Sequence, residues 1–119
     1  MSIFKNYYVI AGYDLTKHKT DKYEDWKWTD EGEQYICNQS NGNIQLFNDP
    51  MNGDHLYLGY VLASGDQYYF ETTKIDLEVF NKVSCVVYHK LIDLIELGVV
   101  DSFNGTYPEY SIIAFEECS

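Results

Sequence analysis

The chain contains no arginine, and its eight cationic residues are all lysines. Arginine supplies the planar, bidentate fork that many proteins use to bind phosphate groups. Asp and Glu together number 19, so the formal net charge is −11. A field of this sign repels a phosphate backbone and attracts a basic protein surface. The composition therefore argues against direct nucleic-acid binding, and leaves two roles open for the acidity: binding a basic partner, or solubility alone.

Cysteine and long apolar runs are also scarce. The chain has three cysteines, Cys37, Cys85 and Cys118, and no two of them form a Cys-x-x-Cys motif. The odd number and the spacing indicate neither a disulfide framework nor a zinc knuckle. No uncharged apolar stretch is long enough to cross a bilayer, and the N-terminus has no basic region followed by a long apolar run. We therefore expect reduced thiols and a cytoplasmic protein.

The usual catalytic motifs are missing. There is no Gly-x-Ser-x-Gly elbow, no glycine-rich phosphate loop and no dinucleotide fingerprint. Cys85 and His89 are four residues apart and could supply two metal ligands, but a zinc site needs three or four, and His18 and His55 stand alone in the sequence. We expect no metal, no cofactor and no enzymatic activity. A small enzyme without a recognisable motif is the alternative.

The elements that are present predict one α+β domain over residues 1–119. Asp76 is a good helix N-cap and Gly98 a good terminator, and apolar residues between them recur at helical spacing, which predicts one long helix. The face expected to pack on the sheet is formed by Phe80, Val83, Val87, Leu91, Leu94 and Ile95.

Runs of β-forming residues predict an antiparallel sheet of five to six strands in the order β-loop-ββββ-α-β, covered on one face by the helix. Asn41-Gly42 between two such runs predicts a hairpin, and Gly12 is a candidate bulge. The predicted strands are Tyr7–Asp14, Gln34–Asn38, Asn43–Phe47, His55–Ala63, Gln67–Lys74 and Tyr110–Phe115.

An acidic segment rich in aromatic residues spans about residues 15–33. It shows no regular period, so we expect an ordered loop with a short helical turn at Tyr23 to Trp26. Acidic side chains can imitate phosphates, and tryptophan is enriched at binding hot spots. The alternative is a solvated loop whose tryptophans plug the edge of the core. The candidate partner-binding residues are Asp21, Glu24, Asp25, Trp26, Trp28, Asp30, Glu31 and Glu33.

Three stretches, Tyr8–Thr16, Asp21–Glu33 and Asn43–Met51, resemble small uncharacterised proteins of phages and prophages of Firmicutes. The resemblance covers most of the chain and assigns no catalytic residue. It implies a phage context, in which small acidic proteins are similar in kind to anti-CRISPR and anti-restriction inhibitors, many of which mimic DNA.

The sequence therefore predicts a non-enzymatic protein-binding inhibitor in the cytoplasm of a bacterial host. Its expected partner is a host protein with a basic surface, such as a CRISPR or restriction nuclease, which it would block by DNA mimicry. A phage structural or replication protein whose acidity is incidental is the alternative.

Overall fold

The computed structural model describes residues 5–37, 44–49, 54–66, 68, 74–101 and 108–118. Within these ranges the chain forms strands and helices in the order β1 (Lys5–Asp14), α1 (Tyr23–Trp26), α2 (Asp30–Cys37), β2 (Ile44–Asp49), β3 (His55–Asp66), α3 (Leu77–Glu96) and β4 (Ser111–Cys118), with a 3-10 turn at Thr16–His18.

The strands form one antiparallel sheet in the order β2-β3-β1-β4. The predicted α+β class is confirmed. The expected five to six strands are not confirmed, because the described residues form a sheet of four. The predicted strand Gln67–Lys74 lies outside the described residues, apart from Tyr68 and Lys74.

The predicted strand Gln34–Asn38 is wrong, since residues 34–37 belong to α2. The Thr29 hydroxyl accepts a hydrogen bond from the Gly32 backbone N–H at 3.1 Å, which caps the start of this helix. Tyr35 and Ile36 then pack against the core from the helix surface. The hairpin expected between Gln34–Asn38 and Asn43–Phe47 does not form, and β2 pairs with β3 instead.

Helix α3 is the main helix and agrees with its sequence signals. The Asp76 carboxylate accepts a hydrogen bond from the Glu78 backbone N–H at 2.9 Å, and Gly98 ends the helix with φ 79°. The predicted apolar face is the buried one. Of its residues, Val87, Leu91 and Leu94 are fully buried, and Val83 and Ile95 pack against the same core.

The main core lies between the sheet and the helices, where Leu56 and Leu58 of β3 are inaccessible to solvent. The sheet also curls strongly, because Phe115 of β4 and Phe47 of β2, on the two outermost strands, have ring centroids 5.1 Å apart. A second aromatic cluster therefore fills the other face.

Gly12 does not mark the bulge expected there, since the register shift in the pairing of β1 with β3 lies between Val9 and Ile10. Gly12 instead allows the backbones of β1 and β3 to approach each other closely. A Cβ atom at Gly12 would lie 1.8 Å from the Leu58 carbonyl oxygen, so only glycine fits.

No helix in the described part of the chain has both the length and the apolar character needed to cross a membrane.

Candidate protein-binding surface

The predicted acidic residues lie on the turn before α1, on α1 itself and on the first turn of α2. All six carboxylates of this segment are exposed, and we call them and Trp28 the acidic surface; the carboxylates are Asp21, Glu24, Asp25, Asp30, Glu31 and Glu33. The expected helical turn at Tyr23–Trp26 is confirmed as α1. The expected loop ends earlier than predicted, because α2 begins at Asp30.

Trp28 is the most exposed large apolar side chain among the described residues, at 81%. The Lys27 ammonium lies 5.5 Å from the centroid of its ring and 2.8 Å from the Glu24 carboxylate. Lys27 therefore links the exposed indole to one of the six carboxylates of the segment. The surface thus presents a large rigid ring among carboxylates.

Trp26, the other candidate tryptophan, is half-buried. Its ring centroid lies 6.1 Å from that of Tyr23 and 5.4 Å from that of Tyr35, both of which pack into the core or against it. The buried indole Nε1 of Trp26 has no hydrogen-bond partner. Trp26 therefore holds α1 and α2 together and offers less area to a partner than Trp28 does.

The turn between α1 and α2 depends on Gly32. A Cβ atom there would lie 2.1 Å from the Trp26 carbonyl oxygen, so glycine lets the first turn of α2 pack directly on the end of α1. Asp30, Glu31 and Glu33 then fall in the first turn of α2, where acidic side chains interact favourably with the helix dipole. Part of the acidity of this segment thus stabilises the helix start.

The negative field continues from α2 to α3. Burial raises the pKa of Tyr35, and the charges of Asp93 on α3 and Glu31 on α2 raise it further. The Lys90 ammonium lies 5.5 Å from the centroid of the same ring. Carboxylates of both helices therefore act on one tyrosine, which extends the acidic surface toward α3.

A separate surface pocket of about 410 Å³ lies at the end of β1 and the start of β3. It brings together His18 and His55, which stand alone in the sequence, and its lining also includes Asp14, Thr16, Lys17 and Tyr57. The Thr16 hydroxyl donates to Asp14 at 2.6 Å and accepts from the Leu56 backbone N–H at 3.1 Å. No sequence signal joins residues so far apart along the chain, so only the fold could reveal this pocket.

His55 stacks on Tyr57 with ring centroids 4.6 Å apart, and its Nε2 atom is buried without a hydrogen-bond partner. That nitrogen is shielded from solvent, whereas the Lys17 side chain is exposed and His18 is half-buried. Among the described residues, the pocket lining contains no serine or cysteine.

Cys85 and His89 lie on the exposed side of α3, with Sγ and Nε2 3.8 Å apart. Among the described residues, no set of three or more His, Cys, Asp or Glu side chains is placed to hold a metal ion.

Comparison of the chain with protein-family models, with curated proteins and with solved structures found no match.

Proposed function

We propose that this protein is a non-enzymatic inhibitor, of the kind that phages encode, which binds the basic nucleic-acid-binding surface of a host defence or DNA-handling protein. An anti-CRISPR or anti-restriction inhibitor that mimics DNA is the form we favour. The single observation that carries the proposal is the acidic surface, where six exposed carboxylates lie on the same short segment as a tryptophan that is 81% exposed.

The charge balance supports a basic protein partner. The segment Asp21–Glu33 holds six acidic residues and two lysines, and one of those lysines, Lys27, is already engaged with Glu24. Opposite charges on the two partners would speed their encounter and exclude partners of like charge. The surface is thus suited to a cleft lined with lysine and arginine, the kind of cleft that nucleases use to hold DNA.

The exposed indole of Trp28 supplies what charge alone does not. Carboxylates steer association but contribute little affinity in water, whereas a tryptophan that enters a pocket on the partner is a typical hot spot. We therefore assign the rate of association to the carboxylates and the lifetime of the complex to Trp28.

A cleavage assay followed by binding kinetics tests this proposal. Purified CRISPR effector nucleases and restriction endonucleases of Firmicutes are incubated with the protein and then given duplex substrate. We expect at least one to be inhibited at near-stoichiometric ratio. Its binding to the immobilised chain is then measured by surface plasmon resonance across a salt series.

Two charge-matched double variants locate the surface. Asp25→Asn/Asp30→Asn removes two carboxylates from the acidic surface, and Glu78→Gln/Glu109→Gln removes two exposed ones elsewhere. Asp30 and Glu78 each lie in the first turn of a long or medium helix, so both variants lose one such dipole interaction, and the first also loses that of Asp25 in the four-residue α1. Glu78 is also about 18 Å along α3 from Lys90, which contacts Tyr35 of α2.

At low salt we expect the first variant to associate roughly 3- to 10-fold more slowly than the second, with the difference vanishing as salt rises. Trp28→Ala should instead dissociate about 30-fold faster at every salt concentration, the effect of about 2 kcal/mol at a hot spot. Tyr68→Ala, which removes another ring that is 76% exposed, serves as its control. Equal kinetics for both double variants, or no inhibited nuclease, would contradict the proposal.

A further inference from the structure

The surface pocket at the end of β1 and the start of β3 places acidic, basic and aromatic groups side by side. Its volume of about 410 Å³ lies within the range of small-molecule binding sites. The pairing of β1 with β3 sets Asp14 opposite Tyr57, and the 3-10 turn that follows β1 adds Lys17 and His18 to the lining. Two paired strands and the turn next to them therefore hold these groups in place.

One wall of the pocket is aromatic. The rings of His55 and Tyr57 are stacked, with centroids 4.6 Å apart and an angle of 17° between their planes, and Phe115 packs 4.8 Å from the Tyr57 ring. Both stacked rings line the pocket. A planar ligand ring can pack on such a stack, and nucleic-acid bases do so readily because every base has a π face.

The polar groups of the pocket suit a ligand that has both an amino group and an anionic group. Asp14 Oδ1 accepts from the Thr16 backbone N–H at 3.0 Å and from its hydroxyl at 2.6 Å, which fixes the carboxylate. A carboxylate has more acceptor positions than these two bonds use, so Asp14 can also accept from a ligand amino group. The exposed Lys17 ammonium carries three donors, which suits a phosphate.

We propose that this pocket binds a nucleoside monophosphate whose base carries an amino group. The base packs on the stack of His55 and Tyr57, its amino group donates to Asp14, and the phosphate contacts Lys17. The inference goes beyond the proposed function and does not depend on it, because no residue of the acidic surface lines the pocket.

The charge of −11 is compatible with such a ligand. A nucleic acid carries one negative charge per phosphate along its whole length, whereas a monophosphate carries about two in all. At 0.15 M salt the screening length is about 8 Å, so carboxylates outside the pocket repel a small anion only weakly. The nearby Lys17 ammonium then acts on the phosphate at short range.

The histidine signals of the full-length protein test the site directly, because His18 and His55 line the pocket and His89 lies outside it on α3. The protein is titrated with adenosine monophosphate (AMP) in 0.15 M NaCl, and the imidazole C–H resonances are followed by NMR. We expect the first two histidines to show saturating shifts with one dissociation constant, at or below about 1 mM, and the third to stay unchanged. Adenosine and inorganic phosphate, each lacking one half of the ligand, should bind at least about 10-fold more weakly.

Inosine monophosphate, which has a keto group in place of the amino group, tests the role of Asp14. We expect it to bind about 10-fold more weakly than AMP. Asp14→Asn keeps an oxygen for the bonds to Thr16, and its new amide N–H can donate to the keto group. This variant should therefore lose the preference for AMP.

Two lysine variants locate the phosphate. Lys17→Gln should weaken AMP binding by about 10-fold, whereas Lys82→Gln, which removes an exposed lysine from α3, should bind as the parent does. Asp25→Asn/Asp30→Asn should also bind AMP as the parent does, since it alters only the acidic surface. Shifts that do not saturate, an equal shift of His89, or equal affinity for AMP and for inorganic phosphate or inosine monophosphate would overturn the proposal.

Discussion

Asp54 is the one described non-glycine residue with a positive φ, at 50°. Asp and Asn tolerate this left-handed conformation better than other residues do. The side chain holds the turn before β3 in place, because its carboxylate lies 2.8 Å from the Lys19 ammonium and accepts from the Asn48 amide at 3.2 Å. These hydrogen bonds lower the pKa of Asp54 from 3.8.

The lowered pKa predicts a pH-dependent effect for Asp54→Asn, which keeps the backbone preference and removes the charge. A carboxyl with a depressed folded-state pKa contributes stability above its unfolded pKa and loses it as pH falls through the folded value. The parent should therefore be more stable than the variant near pH 6, and the difference should begin to shrink at about pH 4 and disappear once the pH is below the folded-state pKa. Because the side chain is 54% exposed, we expect less than about 1 kcal/mol, measured by urea unfolding across pH. A difference that grows on acidification would refute the assignment.

Gly12 predicts a larger effect of a single methyl group. In Gly12→Ala the new Cβ would lie 1.8 Å from a backbone oxygen of the adjacent strand, which cannot move without disrupting the sheet. We expect a loss of at least about 3 kcal/mol in the free energy of unfolding. Gly98→Ala is the comparison, since that Cβ meets only the Lys22 side chain at 3.6 Å and the cost is the strained φ of 79°, about 1 kcal/mol. Similar losses in both variants would show that the clash at Gly12 is relieved.

At the scale of whole elements, sequence signals predicted α3 well because they are local. Its cap, its terminator and its apolar period all lie within the helix itself, and the structure uses each of them. Helix α2 was missed although it carries comparable signals, a Thr29 cap and an acidic first turn. Gly32 weakened the helical pattern in the sequence. A glycine is needed there because α2 packs directly against α1, and sequence rules for a single helix do not include such a contact.

The candidate binding surface was also only partly predictable from the sequence. Exposure of the carboxylates follows from their chemistry, so the acidic surface could be read from the sequence. The sequence could not predict that Trp26 and Trp28 have different environments, because burial of Trp26 depends on Tyr35, which is nine residues away on another helix. The pocket that joins His18 to His55 likewise depends on how β1 pairs with β3.

Neighbouring valines of α3 test the packing of this helix against the sheet. Val87 is fully buried and Val86 is 51% exposed. Val87→Asp would bury an unpaired charge in the core, and we expect it to unfold the domain at room temperature. Val86→Asp adds the same charge one residue earlier and should lower the thermal midpoint by only a few degrees. Circular dichroism melts of both variants decide the matter, and equal melting of the two would refute the assigned face.

At the scale of the whole molecule, the dominant property is the uncompensated charge of −11 on 119 residues. Like charges on a compact surface repel one another. This repulsion destabilises the folded state more than the expanded unfolded chain, in which the charges are farther apart. If the carboxylates serve to bind a basic partner, their mutual repulsion lowers the stability of the free protein. This loss of stability can be measured in the absence of any partner.

The dependence of the thermal midpoint on salt concentration should reveal how much the charge repulsion destabilises the fold. Raising NaCl from 0.01 M to 0.3 M shortens the screening length from about 30 Å to well under 10 Å, which removes most of the repulsion between separate carboxylates. We expect the thermal midpoint to rise by roughly 3 to 6 °C, corresponding to about 1 kcal/mol. The variant Asp25→Asn/Asp30→Asn should gain less from salt than the parent, because part of its repulsion is already gone. Sodium sulfate is avoided, since it stabilises proteins by exclusion from their surface whatever their charge. A midpoint that stays constant or falls in NaCl would mean that the carboxylates are already compensated within the fold, and the acidic surface would then be no costlier than ordinary solvated surface.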